Sequence, residues 1–137
     1  MKPQSVIPYM CIDGSADAIE FYKKAFSAVE VMREADASGR IRHAEIQIGD
    51  SRLMLVDPTP SFAAIRSVQA MGGSPVNLFV YLDDVDRVAA QAIAAGATVV
   101  MEIRDQSYGR SGGLMDPFGL TWWICNRESG AKEAPLD

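Results

Sequence analysis

The chain has 137 residues, a formal net charge of −5, 48% hydrophobic and 23% charged residues. This length suits one domain, or two small modules sharing a core. The acidic balance, without basic stripes, argues against a nucleic-acid partner, and no apolar run approaches the roughly 20 residues of a membrane span. Cys11 and Cys125 are too few for a secreted disulfide framework, and "MKPQSVIPYM" lacks the apolar core of a signal peptide, so a reducing cytoplasm is expected. In chain order, "VIPYMCI" (6–12) reads as an apolar strand and "DGS" (13–15) as a helix entry, with Ser15 the candidate N-cap and Asp17 in the first turn. Ala18, Ile19, Tyr22, Ala25 and Phe26 recur at helical spacing, which predicts an amphipathic helix over 16–26. "VEVMRE" (29–34) reads as a strand and "DASGR" (36–40) as a turn; "IRHAEIQI" (41–48) and "RLMLV" (52–56) read as strands of a hairpin turned by "GDS".

The second half repeats this order. "VNLFVYL" (76–82) is a strand, "DD" (83–84) a cap, and Val85, Val88, Ala89, Ala92 and Ile93 a helical stripe closed by Gly96. "TVVMEI" (98–103) and "RSGGLM" (110–115) are strands, "DPFG" (116–119) suits a type I turn, and "LTWWIC" (120–125) is the last strand. The halves superpose at a shift of 69 to 70 residues: "LMLV" (53–56) falls on "WWIC" (122–125) and "YMCI" (9–12) on "FVYL" (79–82). The expected fold is α+β, two βαβββ modules over 5–57 and 76–126, with a Pro- and Gly-rich linker over 58–75 and a polar tail over 127–137.

Strand alternation sorts the faces. Met10, Ile12, Ala44, Ile46, Ile48, Leu53, Leu55, Leu78, Val80, Leu82, Trp122 and Ile124 are expected under the helices. The opposite face collects Tyr9, His43, Glu45, Gln47, Arg52, Met54, Asn77, Phe79, Tyr81, Thr121 and Trp123, with Ile7, Cys11, Val56 and Cys125. Aromatic walls with a few polar groups suit a small-molecule site. The same mixture also suits a half-solvated sheet surface or a dimer interface. His43 and Glu45, two apart on one strand face, can work as proton carriers, or can simply satisfy each other. Arg110 is a candidate clamp for an anionic group, or a structural partner for an acidic residue such as Asp116. Gly109, Gly112 and Gly113 do not make a phosphate loop, since no helix begins there. Cys11 and Cys125 read as small packing residues.

With "AIEFYKKAF", "HAEIQIGDSRLMLVD" and "YGRSGGLMDPFGLTWWI" in this order, and the internal repeat, residues 5 to 126 resemble the vicinal-oxygen-chelate superfamily. That group includes glyoxalase I, fosfomycin-resistance enzymes, extradiol dioxygenases and bleomycin-resistance proteins; the chain looks closest to the glyoxalase-like branch associated with phosphonate operons. Ser27 departs from the glycine often found after the first helix. The resemblance implies paired, curved mixed sheets forming a cup, in a homodimer or a domain-swapped dimer. It also implies metal positions at Ile7, Met54, Asn77 and Trp123. Ile7 and Trp123 cannot ligate, Met54 is a poor donor to hard ions, and Asn77 is a weak one. The expectation is therefore no metal site and no cofactor, with a divalent ion the disfavoured option. The resulting expectation is a protein that binds a small aromatic or cationic molecule, with Tyr9, Gln47, Arg52, Met54, Asn77, Phe79, Tyr81, Arg110, Thr121 and Trp123 as ligand-binding residues. The alternative is a lyase or isomerase of the glyoxalase type with His43 and Glu45 catalytic; whether the protein is an enzyme stays open.

Overall fold

The computed structural model describes residues 4–127. The expected fraying tail lies, apart from Arg127, outside the described residues. Contacts divide the chain between Gly73 and Ser74 into two compact units. Unit 1 contains β1 (Tyr9–Cys11), α1 (Ser15–Phe26), β2 (Val29–Ala35), β3 (Ile41–Ile48) and β4 (Ser51–Val56), followed by a 3-10 turn at Pro60–Phe62. Unit 2 contains β5 (Leu78–Leu82), α2 (Val85–Ala95), β6 (Thr98–Gln106), β7 (Gly109–Met115) and β8 (Thr121–Asn126). Both are βαβββ, and their four-stranded mixed sheets share one topology, β1-β4-β3-β2 and β5-β8-β7-β6. In each, the first strand pairs parallel with the last and the other pairs are antiparallel. The fold is the expected α+β class.

Alternation sets the cores. Met10, Ile12, Ala44, Ile46, Ile48, Leu53 and Leu55 are buried with Ile19, Phe21, Tyr22 and Phe26 of α1. Each large side chain among them contributes about 1.5–3 kcal/mol of apolar burial, before the cost of ordering the chain. In unit 2, Leu114, Trp122 and Ile124 are buried with Val85, Val88, Ala89 and Ala92. The expectation for Leu78, Val80 and Leu82 is met only halfway, since all three are half-buried. They lie on an edge strand, and the buried face of α2 carries only valine and alanine, where α1 offers three aromatic rings. Ile93, expected in the helical stripe, is exposed.

The helix ends hold two differences from the sequence reading. Ser15 is not the N-cap; α1 begins at Ser15, and Gly14 takes the cap position with a φ of 89°. The Ser15 hydroxyl donates back to the Ile12 carbonyl at 2.8 Å. Capping comes instead from Asp57, just past β4, whose Oδ1 accepts from the Gly14 and Ser15 amides at 2.8 and 3.0 Å. Its Oδ2 accepts from the Ile41 amide at 2.7 Å, so one carboxylate ties helix, β3 and β4 together while its charge favours the helix N-terminus. In unit 2 the expected cap holds: the Asp84 side chain accepts from the Arg87 amide, and Gly96 closes the helix. The "GDS" connection is a two-residue hairpin, since Ile48 pairs with Ser51 and Gly49 supplies a φ of 57°.

Candidate functional site

On the face of unit 1 away from α1, the strand register gathers polar groups around an aromatic ring. β3 and β4 pair Glu45 with Met54 and Gln47 with Arg52, and β1 sets Tyr9 beside Met54. His43 Nε2 lies 3.0 Å from Glu45 Oε2, and Arg52 Nη1 donates to Glu45 Oε1 at 3.4 Å. The Tyr9 ring meets the His43 ring edge-on at 5.9 Å. Glu45 is thus a half-buried carboxylate shared by an imidazole and a guanidinium, and the imidazole can pass a proton along that bond. Gln47 turns to its own hairpin, donating to the Gly49 carbonyl at 3.1 Å. Cys11 and Val56, expected on this face, are buried at its end; burial, then the Asp57 and Asp13 carboxylates, push the Cys11 thiol up and keep it out of the reactive thiolate form.

On unit 2 the corresponding face is aromatic. β5 and β8 set Phe79 beside Trp123, and the Phe79 and Tyr81 rings lie 5.2 Å apart, tilted by 56°. The Trp123 indole N–H donates to Asn77 Oδ1 at 2.9 Å. Its six-membered ring lies over Gly113, the register partner on β7; a Cβ there would come within 2.6 Å of Trp123 Cζ3. Glycine is therefore needed for the indole to lie across the sheet, a role not visible in a sequence that shows Gly113 only in a glycine-rich strand. Trp122 points the opposite way, is fully buried, and donates its indole N–H to Asp116 Oδ2 at 2.9 Å. Thr121 is half-buried opposite Met115 on β7.

Arg110 is held elsewhere than at Asp116. Its Nε and Nη2 donate to the two Asp86 carboxylate oxygens at 2.8 and 3.1 Å, and its Nη1 to Asp105 at 3.2 Å. The Asp116 oxygens are taken by its own turn, the Phe118 and Leu120 amides, and by Trp122. The fork suited to an anion is filled by two carboxylates of the same unit.

The positions that the family resemblance assigns to a metal offer no matching donor set. Ile7 and Trp123 bring carbon and an N–H donor, the Asn77 oxygen is committed to the indole, and Met54 brings a thioether. Among the described residues, no three His, Cys, Asp or Glu side chains are grouped to hold an ion. These residues do not fit the metal of the metal-using relatives.

The chain belongs to the Glyoxalase/Bleomycin resistance protein/Dioxygenase superfamily, whose family model matches residues 10–124. An uncharacterised protein of Mycobacterium tuberculosis is 40% identical over 118 residues, covering 84% of this chain and 69% of that protein. Among solved structures, a gene product of Arabidopsis thaliana superposes with a TM-score of 0.70 at 23% identity, covering 89% of this chain and 98% of that one. TnmS3, an antibiotic binding protein from Streptomyces sp. CB03234, superposes with a TM-score of 0.65 at 20% identity, covering 93% of this chain and 100% of that one. At these identities the structural likeness is one of fold. Among the described residues no helix is long and apolar enough to cross a membrane.

Proposed function

We propose that the protein binds a small planar aromatic or cationic molecule by stacking it on the aromatic face of unit 2. The observation that carries this reading is the Trp123 indole, laid across the sheet over Gly113 and pinned by Asn77. Phe79, 42% exposed, and the half-buried Tyr81 extend the same face. A ring fixed in advance loses little freedom on binding, and a stacked partner gains about 0.5–1.5 kcal/mol beyond its buried area. The fold shared with an antibiotic binding protein supports a small-molecule ligand. The order of the sequence motifs supports placing the chain in the phosphonate-operon-associated branch. Its two cysteines, both buried and not joined to each other in a disulfide, support a reducing cytoplasm, and the edge strands β2 and β6 support a homodimer.

The test is a titration with acridine orange and with uncharged anthracene derivatives, read by tryptophan emission. Quenching is expected in the native protein, with affinity falling about tenfold or more in Trp123→Ala. Binding that Trp123→Ala leaves unchanged removes this reading.

The His43–Glu45 pair favours a second reading, a lyase or isomerase in which His43 moves a proton and Glu45, steadied by Arg52, holds the imidazole in place. His43→Ala and Glu45→Gln are then each expected to lower turnover of a substrate by about 100-fold or more; unchanged turnover in both defeats it.

A further inference from the structure

Unit 1 holds a cavity of about 600 Å³ lined by residues of this unit. Tyr9 and Val56 line it from the sheet, and the segment after β4 walls it with Pro58, Pro60, Phe62 and Ile65. That segment is a strap fastened at both ends. Asp57 anchors one end through three backbone amides. At the other, the Val68 amide donates to the Cys11 carbonyl at 2.9 Å, and the Gln69 side chain exchanges two hydrogen bonds with the Asp13 backbone. Between the anchors Phe62 is 64% and Ile65 42% exposed. A strap fixed at its ends, with large apolar side chains uncovered beside a cavity, is suited to close on an apolar group.

The polar side of the cavity comes from a β-bulge. Glu34 pairs with His43, but the next residue, Ala35, pairs with Ile41, so Arg42 is the extra residue. A bulge re-aims its side chains; simple alternation would send Arg42 toward the helix side, yet it lines the cavity with Tyr9 and Val56. Five charged residues line this space, and three are in use. Asp57 holds the amides, Asp36 accepts from Ser38 and from the Arg40 amide, and Arg40 donates to the Pro58 carbonyl and pairs with Asp13. The side chains of Glu34 and Arg42, of opposite sign, make no hydrogen bond or ion pair with each other or with any other described residue.

We propose that this cavity binds a small zwitterion with an apolar side group, of the class of apolar amino acids and dipeptides, its carboxylate on Arg42 and its ammonium on Glu34. Guanidinium and carboxylate form the stronger charge-assisted contact and orient the ligand. Glu34 selects against simple anions, and Phe62, Ile65 and Tyr9 take the side group. The volume lies in the range of small-molecule pockets. The site uses unit 1 alone and does not depend on the stacking face of unit 2.

The experiment is NMR of the labelled full chain, titrated separately with L-phenylalanine, L-leucyl-L-leucine, 3-phenylpropionate and phenethylamine at millimolar concentration. The last two each lack one of the zwitterion's charges. Shifts are expected at Arg42 Nε, Tyr9, Phe62 and Ile65 with the amino acid, the dipeptide or both, which separates the two sources. Arg42→Ala and Glu34→Gln should each weaken binding tenfold or more, Arg42→Lys should retain part of it, and Trp123→Ala should leave it unchanged. Equal affinity for 3-phenylpropionate, shifts confined to other residues, or no shift with any zwitterion would overturn the proposal.

Discussion

Ser27 closes α1 with a φ of 58°, in the left-handed region where a Cβ crowds the next carbonyl. The turn requires that conformation, because the Ser27 amide and the Ala28 amide both reach back to the Tyr22 carbonyl. Ser27→Gly should therefore stabilise the protein by about 0.5–1 kcal/mol, the relieved strain less the extra freedom of glycine in the unfolded chain; urea unfolding measures it. Gly113 is the opposite case. Its missing Cβ is what the Trp123 ring occupies, so Gly113→Ala should cost about 1–3 kcal/mol by overpacking. The emission of Trp123 should change as the indole is displaced, and the double variant Gly113→Ala, Trp123→Ala should recover much of the loss. Full additivity of the two single effects would show that ring and glycine are not in contact. The alternating pattern exposed which tryptophan is buried and which is not; it carried no information about what lies under the second ring, because that neighbour is on another strand.

At the scale of elements, the long-range carboxylates decide how helices join sheets. Asp57 lies 42 residues from the Ser15 amide it caps, and no local signal marks a cap supplied from the end of another strand. Asp57→Ala leaves three buried or half-buried amides without a partner and should cost about 2–4 kcal/mol, read as a lower urea midpoint at unchanged slope. The Asp86–Arg110 pair links the first turn of α2 to β7 across 24 residues. The hydrogen bond from Arg110 holds the Asp86 carboxyl below the usual carboxylate range. A depressed folded pKa stabilises above the unfolded value, and the stabilisation is lost as pH falls through the folded one. Asp86→Asn should thus lower the melting temperature at neutral pH and converge with the native protein in strong acid; a constant difference across that range counts against the pair. The bulge at Arg42 was likewise hidden, since an extra residue in one strand leaves the hydrophobic alternation on either side intact while shifting its phase.

For the molecule as a whole, the duplicated βαβββ order was legible because each unit repeats the same periodicities in the same sequence, and the residues at the family's metal positions were readable one by one. Their chemistry predicts that chelation, and then zinc, nickel or magnesium at near-stoichiometric excess, leaves the melting temperature unchanged. A site saturated a hundredfold above its Kd would add about 2.7 kcal/mol and several degrees. What the sequence determined by itself is set by local rules: which segments are helix or strand, which face of each strand is apolar, and which side chains can donate to a metal. What only the tertiary structure decided depends on pairings between distant segments. It directed the Asn77 oxygen to an indole 46 residues away, filled the Arg110 fork with Asp86, and left Arg42 and Glu34 unpaired in one cavity. Hydrogen bonds and ion pairs are satisfied by whichever partner the strand register brings within reach, and that register is fixed by the packing of the whole sheet.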